Sequence, residues 1–271
     1  MAAERKRGIY LVPSFFTTLG LLAGFYAITT AIQGRFEAAA WGIVIAAIFD
    51  MLDGRAARLL NAETEFGAQY DSLCDMLSFG VAPAVLLYVW ALIPYHKAGW
   101  LFAFLLVAGA ALRLARFNVE HAFQDRRYFR GLPTPATALL VATGVLFHVE
   151  NGQQPSAALW AVNAVALSWF MISNVRFISG KELDLDVRKP FIALVGMLVA
   201  VVLLMADPYR IPFLLICIYC LHGPAMNIWQ HHQARKRRRV RRLQRERRRQ
   251  CAGSGGGSGE DGAHTAEGDR R

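Results

Sequence analysis

Charged residues and cysteines are scarce in this chain. Only 18% of its 271 residues are charged, while 55% are hydrophobic, and there are four cysteines. The low charge excludes an intrinsically disordered chain, and so large an apolar fraction argues against a water-soluble domain. Cys217 and Cys220 form a C-x-x-C within an apolar stretch, but no second pair completes a zinc site or a disulfide framework.

The apolar residues fall into separate blocks of about 17–25 residues, the length that crosses a bilayer as a helix. We therefore predict an all-α, polytopic integral membrane protein with about eight transmembrane helices. The first block exceeds a signal-peptide core and no small-residue cleavage site follows it, so we expect it to be retained as a membrane helix. The predicted spans are residues 13–33, 37–60, 66–92, 99–118, 133–149, 156–177, 190–206 and 209–229.

Basic residues are distributed unequally between the two sides of the membrane. If the N-terminus is cytoplasmic, the opposite side holds only Arg35, Lys97 and Arg210. Cytoplasmic loops are enriched in lysine and arginine. We therefore predict that both termini face the cytoplasm, in a membrane of the bacterial cell-membrane type.

The chain divides into four parts by composition. The membrane domain, 13–230, follows a basic lead-in, 1–12. After the membrane domain come a basic tail, 231–250, and a Gly/Ser-rich tail, 251–271, which we expect to be disordered. The basic tail has eleven Lys/Arg and one Glu, a net charge of +10 (11 − 1) that equals the formal charge of the whole chain. Because it lacks interleaved aromatic residues, we expect it to contact anionic lipid headgroups and no nucleic acid.

Four aspartates lie inside or at the edge of the second and third apolar blocks. They form two pairs, Asp50 with Asp53 and Asp71 with Asp75, and spacings of three and four put each pair on one helix face. A carboxylate inside a membrane is costly and is therefore a functional candidate. Converging carboxylates also repel one another unless cations lie between them. The pattern predicts a site for one or two hard divalent cations.

The residues around these acids suit phosphoryl transfer. Gly54, Ala57 and Gly67 are small enough for a flat base or a pyrophosphate to approach the backbone, and Arg58 supplies a cation for phosphate oxygens. Divalent cations in such a cluster would neutralise charge and hold the attacking and leaving oxygens. Residues 50–75 read D-x2-D-G-x2-A-R-x8-G-x3-D-x3-D. This pattern resembles the signature of the CDP-alcohol phosphotransferase family at all eight fixed positions.

The resemblance implies an integral membrane enzyme, in that family a homodimer, that transfers a phosphatidyl group from a CDP-linked lipid to an alcohol and releases CMP. It implies that the four aspartates hold two divalent ions, Mg2+ or Mn2+, and that Asp75 also acts as general base. Pro13 is followed by Ser14 where relatives usually have Asn, whereas Thr17 is retained. The implied CDP and pyrophosphate site comprises Thr17, Asp53, Gly54, Ala57, Arg58 and Gly67.

Three further stretches resemble the branch of the family that uses serine as the acceptor: Ser78–Pro83, Arg113–Asn118 and Gly131–Pro135. The carboxylate of serine favours a bidentate guanidinium, and Arg113 and Arg116 share one helix face. We therefore expect CDP-diacylglycerol and L-serine as substrates, with Ser78, Arg113, Arg116 and Asn118 binding the acceptor. The arginines could instead extend to lipid headgroups, and Ser78 could be a helix-packing residue.

Two other functions remain open from the sequence. The same chemistry could use inositol phosphate, glycerol phosphate or choline, and a phosphorylated acceptor would need a further basic cluster such as Arg126, Arg127 and Arg130. An ion-coupled transporter would spread its acids over several helices at mid-depth. Here the four acids are predicted on two neighbouring helices at the cytoplasmic surface, which favours an enzyme with its active site facing the cytoplasm.

Overall fold

The computed structural model describes residues 11–60, 64–121, 129–173, 176–177 and 206–223. Within these ranges the regular structure is helical except for two strands of two residues each, β1 (Phe129–Arg130) and β2 (Arg176–Phe177), which pair antiparallel. The helices are α1 (Leu11–Ile32), α2 (Phe36–Leu59), α3 (Glu65–Tyr95), α4 (Lys97–His121), α5 (Thr134–Glu150), α6 (Ala157–Ile172) and α7 (Arg210–Gly223).

Seven of the eight predicted spans coincide with one of these helices. Three helical stretches are long and apolar enough to cross a membrane, namely Pro13–Ile32, Glu65–Tyr95 and Lys97–Val119, and α5, α6 and α7 are shorter apolar helices. In the described part of the chain the predicted helical architecture is therefore confirmed, and its apolar helices are consistent with a membrane protein. The sixth predicted span is too long, because α6 ends at Ile172 and the chain then pairs as β2.

Several predicted segments lie outside the described residues. They are residues 1–10 of the lead-in, most of the span predicted at 190–206, and both tail segments, 231–250 and 251–271.

Small residues bring α1 and α2 together with their backbones in close approach. A Cβ atom added to Gly42 would lie 3.0 Å from the Cβ of Ala27 and 3.1 Å from the carbonyl oxygen of Ala23. The turn between the helices contains Gly34 at a φ of +76°, a conformation that glycine adopts without steric penalty. Close backbone approach favours helix association in lipid. Thus α1 and α2 form a tight hairpin.

Helix α3 is continuous but irregular. It begins after Thr64, whose hydroxyl accepts a hydrogen bond from the N–H of Gly67 at 3.0 Å and so caps the first turn. The helix is α-helical to Asp75, and then π-helical over Met76–Val81 and again over Tyr88–Leu92. A π-helical segment is uncommon and is frequently found at a functional site. The first of them begins directly after the last of the four aspartates.

Contacts on two sides hold α3 in the bundle. The buried hydroxyl of Ser78 donates to the carbonyl oxygen of Gly20 on α1 at 3.2 Å. On the α4 side, a Cβ atom added to Gly80 would lie 3.1 Å from the Cβ of Ala110. Both contacts lie within the π-helical segment, so the helix carrying two of the acids is positioned by its neighbours just beyond them.

Candidate active site

The structure brings the two pairs of aspartates together. Asp50 and Asp53 lie in the C-terminal half of α2, and Asp71 and Asp75 lie in the first three turns of α3. Carboxylate oxygens of Asp50, Asp53 and Asp71 all lie within 4.8 Å of one another. Asp75 joins the group because its carboxyl lies against that of Asp50. Asp53 is buried, and the other three are half-buried.

Two further helices fix the position of this cluster. The side chain of Thr17 on α1 lies beside Asp53, and its hydroxyl donates to the carbonyl oxygen of Pro13 at 3.0 Å. Next to it, the hydroxyls of Thr18 and Tyr70 are 3.0 Å apart, which joins α1 to the first turns of α3. The side-chain amide of Asn118 on α4 hydrogen-bonds the hydroxyl of Ser72 at 3.1 Å. Helices α1 and α4 thus hold α3 on both sides of its acid pair.

The donor set fits a hard divalent cation. Asp50, Asp53 and Asp71 offer carboxylate oxygens within 4.8 Å of one another. Oxygen ligands of this kind bind Mg2+, Mn2+ and Ca2+. Arg113 interacts electrostatically with the cluster, through Asp75. Four converging carboxylates repel one another, and cations between them would relieve that repulsion.

The small residues of the motif lie around the cluster. A Cβ atom at Gly54 would meet only the Arg58 side chain, at 3.9 Å, so the backbone there is open to a ligand. Arg58 is exposed, and its Nε donates to the carbonyl oxygen of Gly54 at 2.8 Å. Gly67 lies in the capped first turn of α3, where a Cβ would crowd the hydroxyl of Thr64 at 2.9 Å. Ala57 is half-buried on α2.

The four residues expected at the acceptor site each have a different partner. Arg113 is half-buried on α4, and its Nη1 donates to Thr134 Oγ1 at 2.8 Å. Arg116 donates to the carbonyl oxygen of Ile172 at 3.5 Å. Asn118 bonds Ser72 as described above, whereas the Ser78 hydroxyl faces α1.

The sequence pattern did not identify three residues that make contacts at the site, namely Ser72, Tyr70 and Thr134. Ser72 and Tyr70 lie among the motif positions that can vary, so the spacing of the fixed residues carries no information about them. Thr134 lies inside Gly131–Pro135, a stretch that drew attention without a role for any one residue. Their partners lie on other helices, and the rotation of one helix against another is not encoded in periodicity.

Comparison with known proteins gives the same family that the motif suggested. Residues 10–170 match the profile described as CDP-alcohol phosphatidyltransferase. A CDP-diacylglycerol–serine O-phosphatidyltransferase of Helicobacter pylori is 35% identical over 184 residues, which is 66% of this chain and 77% of that protein. One of Mycobacterium leprae is 32% identical over 231 residues, 82% of this chain and 76% of that protein. An archaetidylserine synthase of Methanothermobacter thermautotrophicus is 33% identical over 168 residues, covering 61% and 69%. This chain belongs to the CDP-alcohol phosphatidyltransferase family.

Proposed function

We propose that this chain transfers the phosphatidyl group of CDP-diacylglycerol to the hydroxyl of L-serine, giving phosphatidylserine and CMP. The main support is the convergence of four carboxylates from α2 and α3 beside the guanidinium of Arg113. Relatives whose names specify serine transfer support serine as the acceptor. The chain is thus an enzyme of phospholipid biosynthesis.

The four aspartates are assigned two divalent cations, Mg2+ or Mn2+. Asp50, Asp53 and Asp71 are ligands, and Asp75 completes the set from its position against Asp50. When bound, the cations neutralise phosphate charge and stabilise the charge that develops on the attacking and leaving oxygens. The contact of Thr17 with Asp53 fixes one ligand from outside the motif, as supporting residues commonly do around metal ligands.

Asp75 is assigned as general base. It accepts the proton of the serine hydroxyl while that oxygen forms a bond to the lipid-side phosphorus of CDP-diacylglycerol. The bond from this phosphorus to the bridging oxygen breaks, and CMP leaves with the electron pair. A single displacement is preferred because the motif offers no nucleophile besides the base. Inversion at a chiral phosphorus is expected, and retention would exclude this mechanism.

The CDP group is assigned to a site formed by Thr17, Asp53, Gly54, Ala57, Arg58 and Gly67. Among the described residues, the Arg58 side chain is the neighbour of a Cβ atom built on Gly54, at 3.9 Å, so the backbone there is open to a ligand. Arg58 uses its Nε for the Gly54 carbonyl, which leaves its terminal nitrogens for phosphate oxygens.

Serine is assigned to the side of the cluster nearest α4. Arg113 interacts electrostatically with Asp75, so a carboxylate bound to this guanidinium would have its hydroxyl near the base. Asn118 and Arg116 lie farther along the same helix, nearer its C-terminal end, and Ser78 holds α3 against α1 one turn beyond Asp75. These three are assigned to shaping the acceptor site.

The membrane arrangement is also a proposal. The chain is assigned eight membrane spans, with both termini and the active site on the cytoplasmic side. It is assigned to a cell membrane as a homodimer. The basic tail, 231–250, lies outside the described residues and is assigned to anionic lipid headgroups on the strength of its charge.

An acceptor assay tests the function directly. The purified full chain, in vesicles containing CDP-diacylglycerol, is supplied separately with labelled L-serine, inositol phosphate, glycerol phosphate and choline, with and without Mg2+ or Mn2+. Serine-dependent, cation-dependent CMP release is expected. Transfer to a different acceptor would refute serine while retaining the chemistry, and absence of CMP release with every acceptor would refute the enzyme function.

A further inference from the structure

Arg113 is half-buried, but one of its hydrogen-bond donors is buried and unused in the described part of the chain. Its Nη1 donates to Thr134, but its Nε is buried and has no hydrogen-bond partner among the described residues. An unpaired buried donor is destabilising, and more so on a charged group. The guanidinium also interacts with Asp75, so an acceptor atom of a ligand at this point would satisfy the donor.

The segment Gly131–Pro135 is anchored firmly to α6. Gly131 has a φ of +87°, and a Cβ atom there would collide with the carbonyl oxygen of Met171. A side chain is therefore excluded at this position for both backbone and packing reasons. The N–H of Leu132 donates to the carbonyl oxygen of Phe170 at 3.1 Å. The residues that lead into α5 are thus held in place against α6.

Thr134 takes its place from this anchored entry. It is the first residue of α5 and is fully buried. It lies between Pro133 and Pro135, whose rings restrict φ, and its branched side chain has few rotamers. The hydroxyl that meets Arg113 is therefore held by backbone constraints on both sides, and it is not a mobile surface group.

The bond to Thr134 determines which edge of the guanidinium is left for a carboxylate. Parallel bidentate pairing uses two adjacent N–H groups of the planar fork. With Nη1 engaged by Thr134, the edge formed by Nε and Nη2 remains. Resting on the function proposed above, we propose that Thr134 is a positioning residue that presents the Nε–Nη2 edge of Arg113 to the carboxylate of the serine substrate.

The test compares two substitutions at this one position in the full chain. Thr134→Val keeps the side-chain shape and removes the hydroxyl, whereas Thr134→Ser keeps the hydroxyl and removes the methyl group. Steady-state kinetics give KM and kcat for serine and KM for CDP-diacylglycerol, and thermal unfolding reports on folding. Since a hydrogen bond to a charged group corresponds to roughly a tenfold change in an equilibrium constant, KM for serine should rise about tenfold in Thr134→Val.

If Thr134 has a merely structural role, the two variants should show the opposite effects on the serine KM. If Thr134 only fills space, Thr134→Val retains the serine KM and Thr134→Ser lowers the melting temperature, and this result overturns the proposal. An equal rise in KM for both substrates would do the same, since it indicates general damage. The proposal requires Thr134→Ser to restore the serine KM while KM for CDP-diacylglycerol stays unchanged. Failure of the wild-type chain to use serine would instead refute the function proposed above.

Discussion

Gly24 on α1 is the position where a single methyl group should disturb the active site from a distance. A Cβ atom there would lie 2.5 Å from the Oγ of Ser78 and 2.9 Å from its Cα and Cβ. Because Cα is backbone, rotation of the Ser78 side chain cannot relieve the contact. Ordinary carbon–carbon contacts are about 3.5–4.0 Å. In Gly24→Ala, α1 and α3 must therefore separate by roughly 0.6 Å or more.

This separation should reach the cation site. The hairpin of α1 and α2 carries Thr17, Asp50 and Asp53, while α3 carries Asp71 and Asp75, so moving the hairpin from α3 pulls the two acid pairs apart. Mg2+ needs near-ideal octahedral geometry with ligand distances of about 2.0–2.1 Å. We expect Gly24→Ala to raise the Mg2+ concentration for half-maximal activity about tenfold, since ~1.4 kcal/mol of lost binding energy has that effect.

The stability of the protein should fall together with its cation affinity. Overpacking of this kind costs about 1–3 kcal/mol, and for a chain of this size each kcal/mol lowers the melting temperature by about 2–4 °C. Mg2+ titration of CMP release and thermal unfolding in detergent measure the two effects. The matched control is Gly20→Ala, one turn earlier on α1, where the added Cβ would meet Phe49 and Ala46 at 3.6 and 3.7 Å, ordinary contact distances. Equal behaviour of the two variants would refute the reasoning.

Three further predictions concern the site itself. Asp75→Asn should lower CMP release by about 10²–10⁴-fold, the usual contribution of a general base, while the protein still elutes as a folded species. The control is Asp207→Asn, which should retain turnover. The carboxylate of Asp207 accepts hydrogen bonds from the backbone N–H groups of Tyr209 and Arg210. Chelation with EDTA should abolish activity, and added Mg2+ or Mn2+ should restore it; activity that survives exhaustive chelation would contradict the cation assignment. Ser72→Ala and Asn118→Ala should each reduce unfolding free energy by about 1 kcal/mol, and the double variant should lose less than the sum because the two side chains bond each other.

The sequence was most informative where side chains act within one helix or along one motif. The i,i+3 and i,i+4 spacings of the aspartates placed each pair on one helix face, and the structure brings Asp50, Asp53 and Asp71 within 4.8 Å. The apolar blocks likewise predicted the described helices to within a few residues, because bilayer thickness sets their length. α2, which carries several charged residues, was found by the same pattern although it does not qualify as a long apolar span.

Contacts between helices were much less predictable. The spacing of Ser78 from Asp75 gave no indication that its hydroxyl would meet the carbonyl oxygen of Gly20, since that depends on the π-helical turn and on the rotation of α3 against α1. The Arg113–Thr134 bond joins residues 21 positions apart on different helices. Its formation depends on the path of the Gly131–Pro135 segment, which no local spacing specifies.

The π-helical turn at Met76–Val81 sets the phase of everything that follows it in α3. A π turn accommodates one residue more than an α turn while the helix continues. Each residue of an α-helix advances by about 100°, so if the same residues formed α turns throughout, the rest of α3 would be rotated by roughly that angle relative to Asp75. Gly80 and Pro83 would then leave their present neighbours although no aspartate had changed. The π-helical winding of α3 just after the acids is therefore as much a constraint on the enzyme as the identity of the acids.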